Sequence, residues 1–381
     1  MKIHITRKHV TNLVFPLILC VVWFLIGWIV RGWLMGADIV LIEQARQGLL
    51  SNYPGELPST RELTYAAIRG MLHRVDPYGA LFEPVVSRRY LDDFSGQSGL
   101  VGLVAEVQNG EMVVTGVLPG GPAERAGLRP GDAILSVDGV KFDENITETE
   151  ASILIRGPVG TAAHFVVRRG DHTLEFDPAR QERAIASTQM LDGQVAYLAQ
   201  RVFTTNAPQK VKAALQELLA QHPKALIWDL RGNTGGSMDA TQEILSYFIE
   251  DGLLYTAELK GGQQKQFMAQ GNGIATGIPL IVLIDRQTYS SAETAAAVIQ
   301  ERGRGLLIGS TTHGKGTIQT TQPLIEDTLL HFTIAKWLSP TGKWYEGIGV
   351  TPDISVSDDP GTEKDEVLQS AVDYIRRNLA N

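Results

Sequence analysis

Ala225-Leu-Ile-Trp-Asp-Leu-Arg-Gly-Asn-Thr-Gly-Gly-Ser237 opens as an apolar strand and breaks into a glycine-rich turn. Apolar positions then recur at helical spacing through residues 238–249. The same alternation continues on both sides. Strands are expected at 195–202, 280–284 and 306–308, and helices at 208–221 and 291–302. Residues 318–324 and 329–338 read as a closing β-pair, and 362–379 as a surface amphipathic helix. Strand–helix alternation of this kind builds a mixed α/β core with a partly parallel sheet. The turn itself carries chemistry. Its backbone N–H groups can converge on an anion, with the following helix N-terminus adding a favourable field. That is the equipment an oxyanion hole needs.

Upstream, residues 96–178 change character. Short β-rich runs at 100–107, 112–118, 133–137 and 163–168 are separated by Gly/Pro turns, with one helical segment at 146–155. Within them lies Gly120-Gly-Pro-Ala-Glu-Arg-Ala-Gly-Leu-Arg-Pro-Gly-Asp-Ala-Ile-Leu-Ser-Val-Asp-Gly139. This run resembles the signature of PDZ domains: turn glycines at Gly127 and Gly131, a core strand around Ile134, Leu135 and Val137, and an Asp138-Gly139 turn. The resemblance implies a peptide-binding loop at Gly99, Leu100, Val101, Gly102 and Leu103. Such a loop offers backbone N–H groups to a terminal carboxylate while the peptide adds a strand to the sheet edge.

The N-terminus is apolar and uncharged from Val10 to Val30, long enough to span a bilayer as a helix. Lys2, Arg7 and Lys8 precede the run, so the positive-inside rule puts the short N-terminus in the cytoplasm and the rest across the membrane. A cleaved signal peptide is the rival reading; its apolar region is usually shorter, and no clear A-x-A site precedes Ala37. The expectation is a single-pass cell-membrane protein with its folded domains outside the cytoplasm. Cys20 is the only cysteine, which rules out an intrachain disulfide. The net charge of −8, with Lys and Arg dispersed, argues against nucleic acid as a partner. The domains are expected at 1–36 (N-terminus and anchor), 37–95 (helical), 96–180 (PDZ-like), 181–360 (α/β) and 361–381 (C-terminal helix).

Two further segments of the α/β region carry reactive groups. Asp285-Arg-Gln-Thr-Tyr-Ser-Ser-Ala-Glu293 turns from a strand into a helix at Ser290-Ser291. Alone, either serine reads as an ordinary N-cap. Gly309-Ser-Thr-Thr-His-Gly-Lys-Gly-Thr-Ile-Gln319 approaches a phosphate-binding loop, but Gly316 stands where a hydroxyl should bind Mg²⁺ and a β-favouring run follows. A lysine in a tight glycine loop fits a buried amine better, since burial lowers its pKa and lets the neutral form take a proton.

Together the three segments resemble the carboxyl-terminal processing (tail-specific) protease family, from about residue 60 to the end. The resemblance implies Ser290 as nucleophile, Lys315 as general base and Gln319 as the residue orienting it. It also implies an oxyanion hole from a backbone N–H at Gly235 or Gly236 and that of Ser291. Ser291 remains a competing hydroxyl. The substrates implied are proteins or peptides bound through their C-termini, with a homo-oligomer or an activating adaptor as further partners. No metal, nucleotide or organic cofactor is expected. A Ser-His-Asp hydrolase would draw its base from His313 or His331 but lacks the G-x-S-x-G elbow. A metalloprotease would need histidine spacing that is missing. A non-catalytic tethered scaffold binding C-terminal tails is the alternative from another class.

Overall fold

The computed structural model describes Trp23 and residues 36–108, 111–142, 146–192, 194–358, 362 and 364–378. The expected anchor, Val10 to Val30, lies outside the described residues apart from Trp23. Among the described residues no helix is long and apolar enough to cross a membrane. The chain divides into two compact units after Ile68. Helix α1 (Gly36–Asn52) belongs to the first, and α2 (Thr60–Val75) runs across the division, ending just before Asp76-Pro77. All that follows concerns the second unit.

Strand β1 (Ala80–Phe82) leads into α3 (Pro84–Ser95), whose first-turn proline loses no helical hydrogen bond and whose last turn closes on Gly96 in the left-handed region. The chain then enters a β-rich module. Its elements are β2 (Ser98–Leu100), β3 (Leu103–Gln108), β4 (Glu111–Val117), α4 (Pro122–Ala126), β5 (Ala133–Val137), β6 (Val140–Lys141), α5 (Glu148–Ile155), β7 (Gly157–Pro158), β8 (Phe165–Arg169), β9 (His172–Phe176) and β10 (Gln181–Glu182). The main sheet runs β3-β4-β5-β8-β9 with β6 on β5, around a core of Val114, Leu128, Val137, Phe165 and Val167. A second, small sheet in the order β10-β2-β7 joins the two ends of the module. The single strand expected at 100–107 is thus two strands in different sheets, because Gly102 turns the chain at φ 73 between them.

The larger domain contains β11 (Ala186–Leu191), β12 (Val195–Gln200), α6 (Ala207–Leu219), β13 (Ala225–Asp229), α7 (Met238–Ser246), β14 (Leu253–Leu259), β15 (Gln264–Met268), β16 (Leu280–Ile284), α8 (Ser291–Glu301), β17 (Leu306–Gly309), β18 (Thr317–Pro323), β19 (Leu329–Leu338), β20 (Ile354–Ser355) and α9 (Glu366–Asn378). One sheet runs β11-β12-β13-β16-β17-β20, antiparallel at its first pair and parallel thereafter. The central strands β13 and β16 are buried along their whole length, as expected when both faces are covered. Alternate side chains separate cleanly. Leu226, Trp228, Val282 and Ile284 pack with α6, α7 and α8, while Ala225, Ile227, Ile281 and Leu283 pack with Val367, Ala371 and Ile375 of α9. An antiparallel sheet, β1-β19-β14-β15 with β18 on β19, closes the domain. The sequence reading had no strand at β14 or β15. The turns after β13 and β16, at the carboxyl ends of parallel strands, are where an open α/β sheet places a site.

Candidate active site

The turn after β16 is held to the turn after β13 by hydrogen bonds through small polar groups. Thr288 Oγ1 donates to the Leu230 carbonyl at 3.0 Å, the Asp285 carboxylate accepts the Gly232 N–H at 3.1 Å, and the Tyr289 N–H reaches the Asn233 carbonyl at 2.9 Å. Ser290 closes this turn at φ 56, ψ −120, a conformation an L-residue holds only when its surroundings impose it. Such strain at a strand-to-helix turn presents a side chain to a cleft and leaves the first amides of α8 beside it. Ser291 is spoken for in another way. It is fully buried, and its hydroxyl donates to the Gly236 carbonyl at 2.9 Å. Its hydroxyl therefore braces the glycine turn and does not face the cleft as a rival nucleophile.

Glu293 joins the serine turn to the lysine loop. Its carboxylate is fully buried and accepts from the Ser290 N–H at 2.8 Å, Thr312 Oγ1 at 2.6 Å, the Gly314 N–H at 2.5 Å and the Lys315 N–H at 2.8 Å. Four donors around one side chain suit the ionised, acceptor-only form. Burial raises its pKa above the ordinary range, against the pull of those hydrogen bonds. The loop is pinned from its other side by Trp337 Nε1, which donates to the Lys315 carbonyl at 2.8 Å, and by Glu346, which accepts the Gly316 N–H at 2.7 Å. The chain continues as a strand, β18, where a phosphate-binding loop would need a helix.

The Lys315 amine lies over the rings of Tyr78, at 4.6 Å, and Tyr289, at 4.9 Å. Burial pushes its pKa down from the lysine range to about 8, while Glu346, Asp76 and Glu293 keep it from falling further. No hydrogen bond joins it to Ser290 among the described residues, although both line one cleft of about 350 Å³ with Gly235, Gly236 and Gln319. Among the described residues Gln319 makes no hydrogen bond to the lysine. Its amide donates to Thr317 Oγ1 at 2.8 Å and Thr333 Oγ1 at 3.1 Å, and Thr333 in turn donates to Asp76.

The two glycines of the expected oxyanion hole are distinguishable. The Gly235 N–H is engaged by Asn233 Oδ1 at 2.9 Å, whereas the Gly236 and Ser291 N–H groups donate to nothing among the described residues. Gly235 instead supplies closeness: a Cβ there would stand 2.7 Å from the Tyr289 carbonyl oxygen and 2.9 Å from Ser290 Cβ and Ser291 N. Neither alternative base is hydrogen-bonded to the serine among the described residues. His313 sets its ring edge against Tyr289 at 4.5 Å. His331 stacks on Phe82, and burial followed by the charge of Lys315 pushes its pKa to about 4.

In the small module, the five residues of the expected carboxylate loop are divided. Gly99 and Leu100 belong to β2, hydrogen-bonded between β7 and β10, so their backbone is committed to the sheet. Val101 and Gly102 form the turn, and their carbonyls accept the Ala123 and Leu118 N–H groups, both at 2.8 Å. Leu103 begins β3, which is an edge strand. Only Val101, Gly102 and Leu103 therefore stand at the entrance to a strand that a peptide could extend.

Sequence reasoning missed Glu293, Tyr78, Asp76 and Glu346 as parts of the site. Glu293 was readable, since Ser290-Ser-Ala-Glu293 has the spacing of a capping box. The other three come from segments distant in sequence and carry no local signal.

The chain resembles known proteins over most of its length. The model of peptidase family S41 matches residues 194–356, and that of the PDZ domain residues 113–169. A Picosynechococcus protein named carboxyl-terminal-processing protease is 31% identical over 343 residues, covering 84% of this chain and 81% of that protein. The chloroplastic carboxyl-terminal-processing peptidase 2 of Arabidopsis thaliana is 30% identical, covering 81% of this chain but only 62% of its own length. The solved structure of a photosystem II D1 C-terminal processing protease superposes with a TM-score of 0.61 at 28% identity, covering 89% of this chain and 90% of that one. With the S41 model matched over residues 194–356, the PDZ model over 113–169, and a relative 31% identical along most of both chains, this chain belongs to peptidase family S41.

Proposed function

We propose that the protein is a serine endopeptidase of the carboxyl-terminal processing type, anchored in the cell membrane by residues 10–30 with its folded domains outside the cytoplasm. The observation that carries this reading is the shared cleft: a serine held at positive φ beside the unengaged Ser291 N–H at the start of α8, with a desolvated lysine of pKa about 8. Ser290 Oγ attacks the substrate carbonyl and its proton passes to neutral Lys315 Nζ. The Gly236 and Ser291 N–H groups receive the oxyanion. The C–N bond breaks as Lys315 returns the proton to the leaving amine, and water, deprotonated by the same amine, hydrolyses the acyl-serine. Gln319 orients Lys315 once the lysine leaves the two tyrosine rings. The PDZ module holds the substrate's C-terminus at the β3 edge and delivers the preceding chain to the cleft.

Turnover of an unstructured protein with an apolar C-terminal tail tests the chemistry. Ser290→Ala and Lys315→Ala should each lower kcat by about 1,000-fold or more, and equal turnover by all three proteins would overturn the dyad. Activity should rise with pH. With the base at a pKa of about 8, about a tenth is neutral at pH 7 and about nine tenths at pH 9, a roughly tenfold gain. The anchor is tested by alkaline carbonate extraction of membranes and by protease accessibility from the extracytoplasmic side. Release into the soluble fraction would refute it.

A further inference from the structure

We propose that the catalytic cleft holds a carboxylate-binding subsite built on Arg183, which takes a carboxylate of the substrate within about three residues of the scissile bond. This rests on the peptidase reading of the same cleft. Arg183 follows β10, where the chain passes from the small module into the larger domain, and its side chain lines the cleft with Ser290, Lys315 and Gly236. One nitrogen, Nη2, donates to the Arg201 carbonyl at 2.9 Å and to Thr234 Oγ1 at 3.3 Å. The other, Nη1, is closed to solvent in this arrangement and has no hydrogen-bond partner among the described residues, so a carboxylate in the cleft reaches it by a small shift of the guanidinium. A buried donor left unsatisfied is costly and calls for an explanation.

The charges of this wall do not balance. The nearby Asp93 carboxylate is engaged by Arg156 Nη1, and Arg183 forms no ion pair with it or with Asp239, the other carboxylate lining the cleft. Arg156 thus takes Asp93, and Arg183 is left without an acid among the described residues. Burial, and then the charge of Arg156, lower the Arg183 pKa to about 10, which leaves it a full cation at neutral pH. An unpaired cation in a partly desolvated wall is costly unless an anion joins it. A guanidinium with a free N–H fits a carboxylate best, because the hydrogen bonds are charge-assisted and geometrically matched.

The position fixes the range. Thr234, which holds Arg183, directly precedes Gly235 and Gly236 in the glycine turn. Consecutive Cα atoms are about 3.8 Å apart, so the guanidinium sits within a few residues of the oxyanion position. Two sources supply the carboxylate: a free C-terminus just beyond the cut, or an Asp or Glu side chain close to it.

The test uses the full-length chain with Ser290→Ala, so that binding is read without turnover. Fluorescence anisotropy is measured for labelled apolar hexapeptides as the free acid, as the C-terminal amide, and as amides with one Glu at each position. The free acid or one Glu peptide should bind at least tenfold more tightly than the plain amide. Adding Arg183→Gln should bring that ratio close to one, and Arg183→Lys should restore part of it. A ratio that survives Arg183→Gln would overturn the proposal and assign carboxylate recognition elsewhere, such as the Val101–Leu103 turn. Equal weakening of every peptide would also overturn it, making Arg183 a brace for Thr234. Failure of the peptidase reading is separate, since it shows as turnover by the Ser290 protein that does not depend on that serine.

Discussion

Glu293 in the larger domain is fully buried and accepts four hydrogen bonds from two loops, while strand β3 of the small module leaves its outer edge unpaired and exposes Val104 and Val107 to about half their extent. The two regions solve different problems. Acyl transfer needs a few atoms held within fractions of an ångström, so the loops that carry them are tied together and closed to solvent. Recognition of a chain end, the role proposed for the small module, needs an open backbone edge, and β3 offers one in front of a packed core. Loss of a tie should therefore be severe in the first region, and loss of a contact mild in the second.

Glu293→Ala should give the largest effect. It strands the N–H groups of Ser290, Gly314 and Lys315 and the hydroxyl of Thr312 in a buried site. Each orphaned donor costs about 1–3 kcal/mol, and relaxation that rehydrates them must separate the serine turn from the lysine loop. We expect kcat to fall about 1,000-fold, together with a lower Tm. Activity within tenfold of the parent would show that the two loops hold their geometry without the bridge.

Gly235→Ala comes next and isolates closeness from hydrogen bonding. The added methyl would meet the Tyr289 carbonyl oxygen, Ser290 Cβ and the Ser291 backbone nitrogen at 2.7–2.9 Å, and φ 81 adds strain. Displacing the glycine turn by about an ångström should lower kcat by about 100-fold. Gly120→Ala in the small module is the matched control. Its φ of 67 imposes similar backbone strain, of about 1–2 kcal/mol, but nothing lies within 4 Å of the new methyl. It should lower Tm and leave the pH profile of turnover where it was. Equal losses from both substitutions would erase the distinction between the regions.

The same contrast explains what could be read in the sequence. The parallel sheet was legible because β13 and β16 are short, uninterrupted apolar runs followed by helical periodicity. Ser290, Lys315 and the glycine turn were legible because each occupies a local motif with its own backbone demand. The β14–β15 pair was not, since Leu253–Leu259 mixes Thr256 and Glu258 into its run and Gln264–Met268 is largely polar and exposed. Such strands are fixed by their neighbours, β14 by β19 and β15 by β14, and not by their own composition. The surroundings of Lys315 were hidden for a related reason. Tyr78, Asp76 and Glu346 meet the amine only after residues more than 200 positions apart are brought together, as in the 2.8 Å bond from Tyr78 to Glu346. The carboxylate loop was misjudged in its first half because Gly99 looks like a free turn residue. In fact its missing Cβ allows the close approach of Arg180 and Gln181 in the small sheet.

The smallest expected effect is at the open edge. Val104 is 48% exposed on β3 and lies two residues past Gly102, where a strand-adding peptide would run beside it. Val104→Asp places a carboxylate next to a chain end that is itself an anion, in a solvated site where the repulsion is worth about 1 kcal/mol. The ratio of kcat/KM for a tailed protein to that for a hexapeptide should therefore fall about fivefold. Raising the salt concentration should recover part of that loss, because exposed charges are screened over about 10 Å at 0.1 M. Buried ties such as Glu293 should show no such recovery, since salt does not reach them. If Val104→Asp instead abolished turnover of both substrates alike, β3 would be part of the catalytic framework and the division between a closed chemical site and an open recognition edge would not hold.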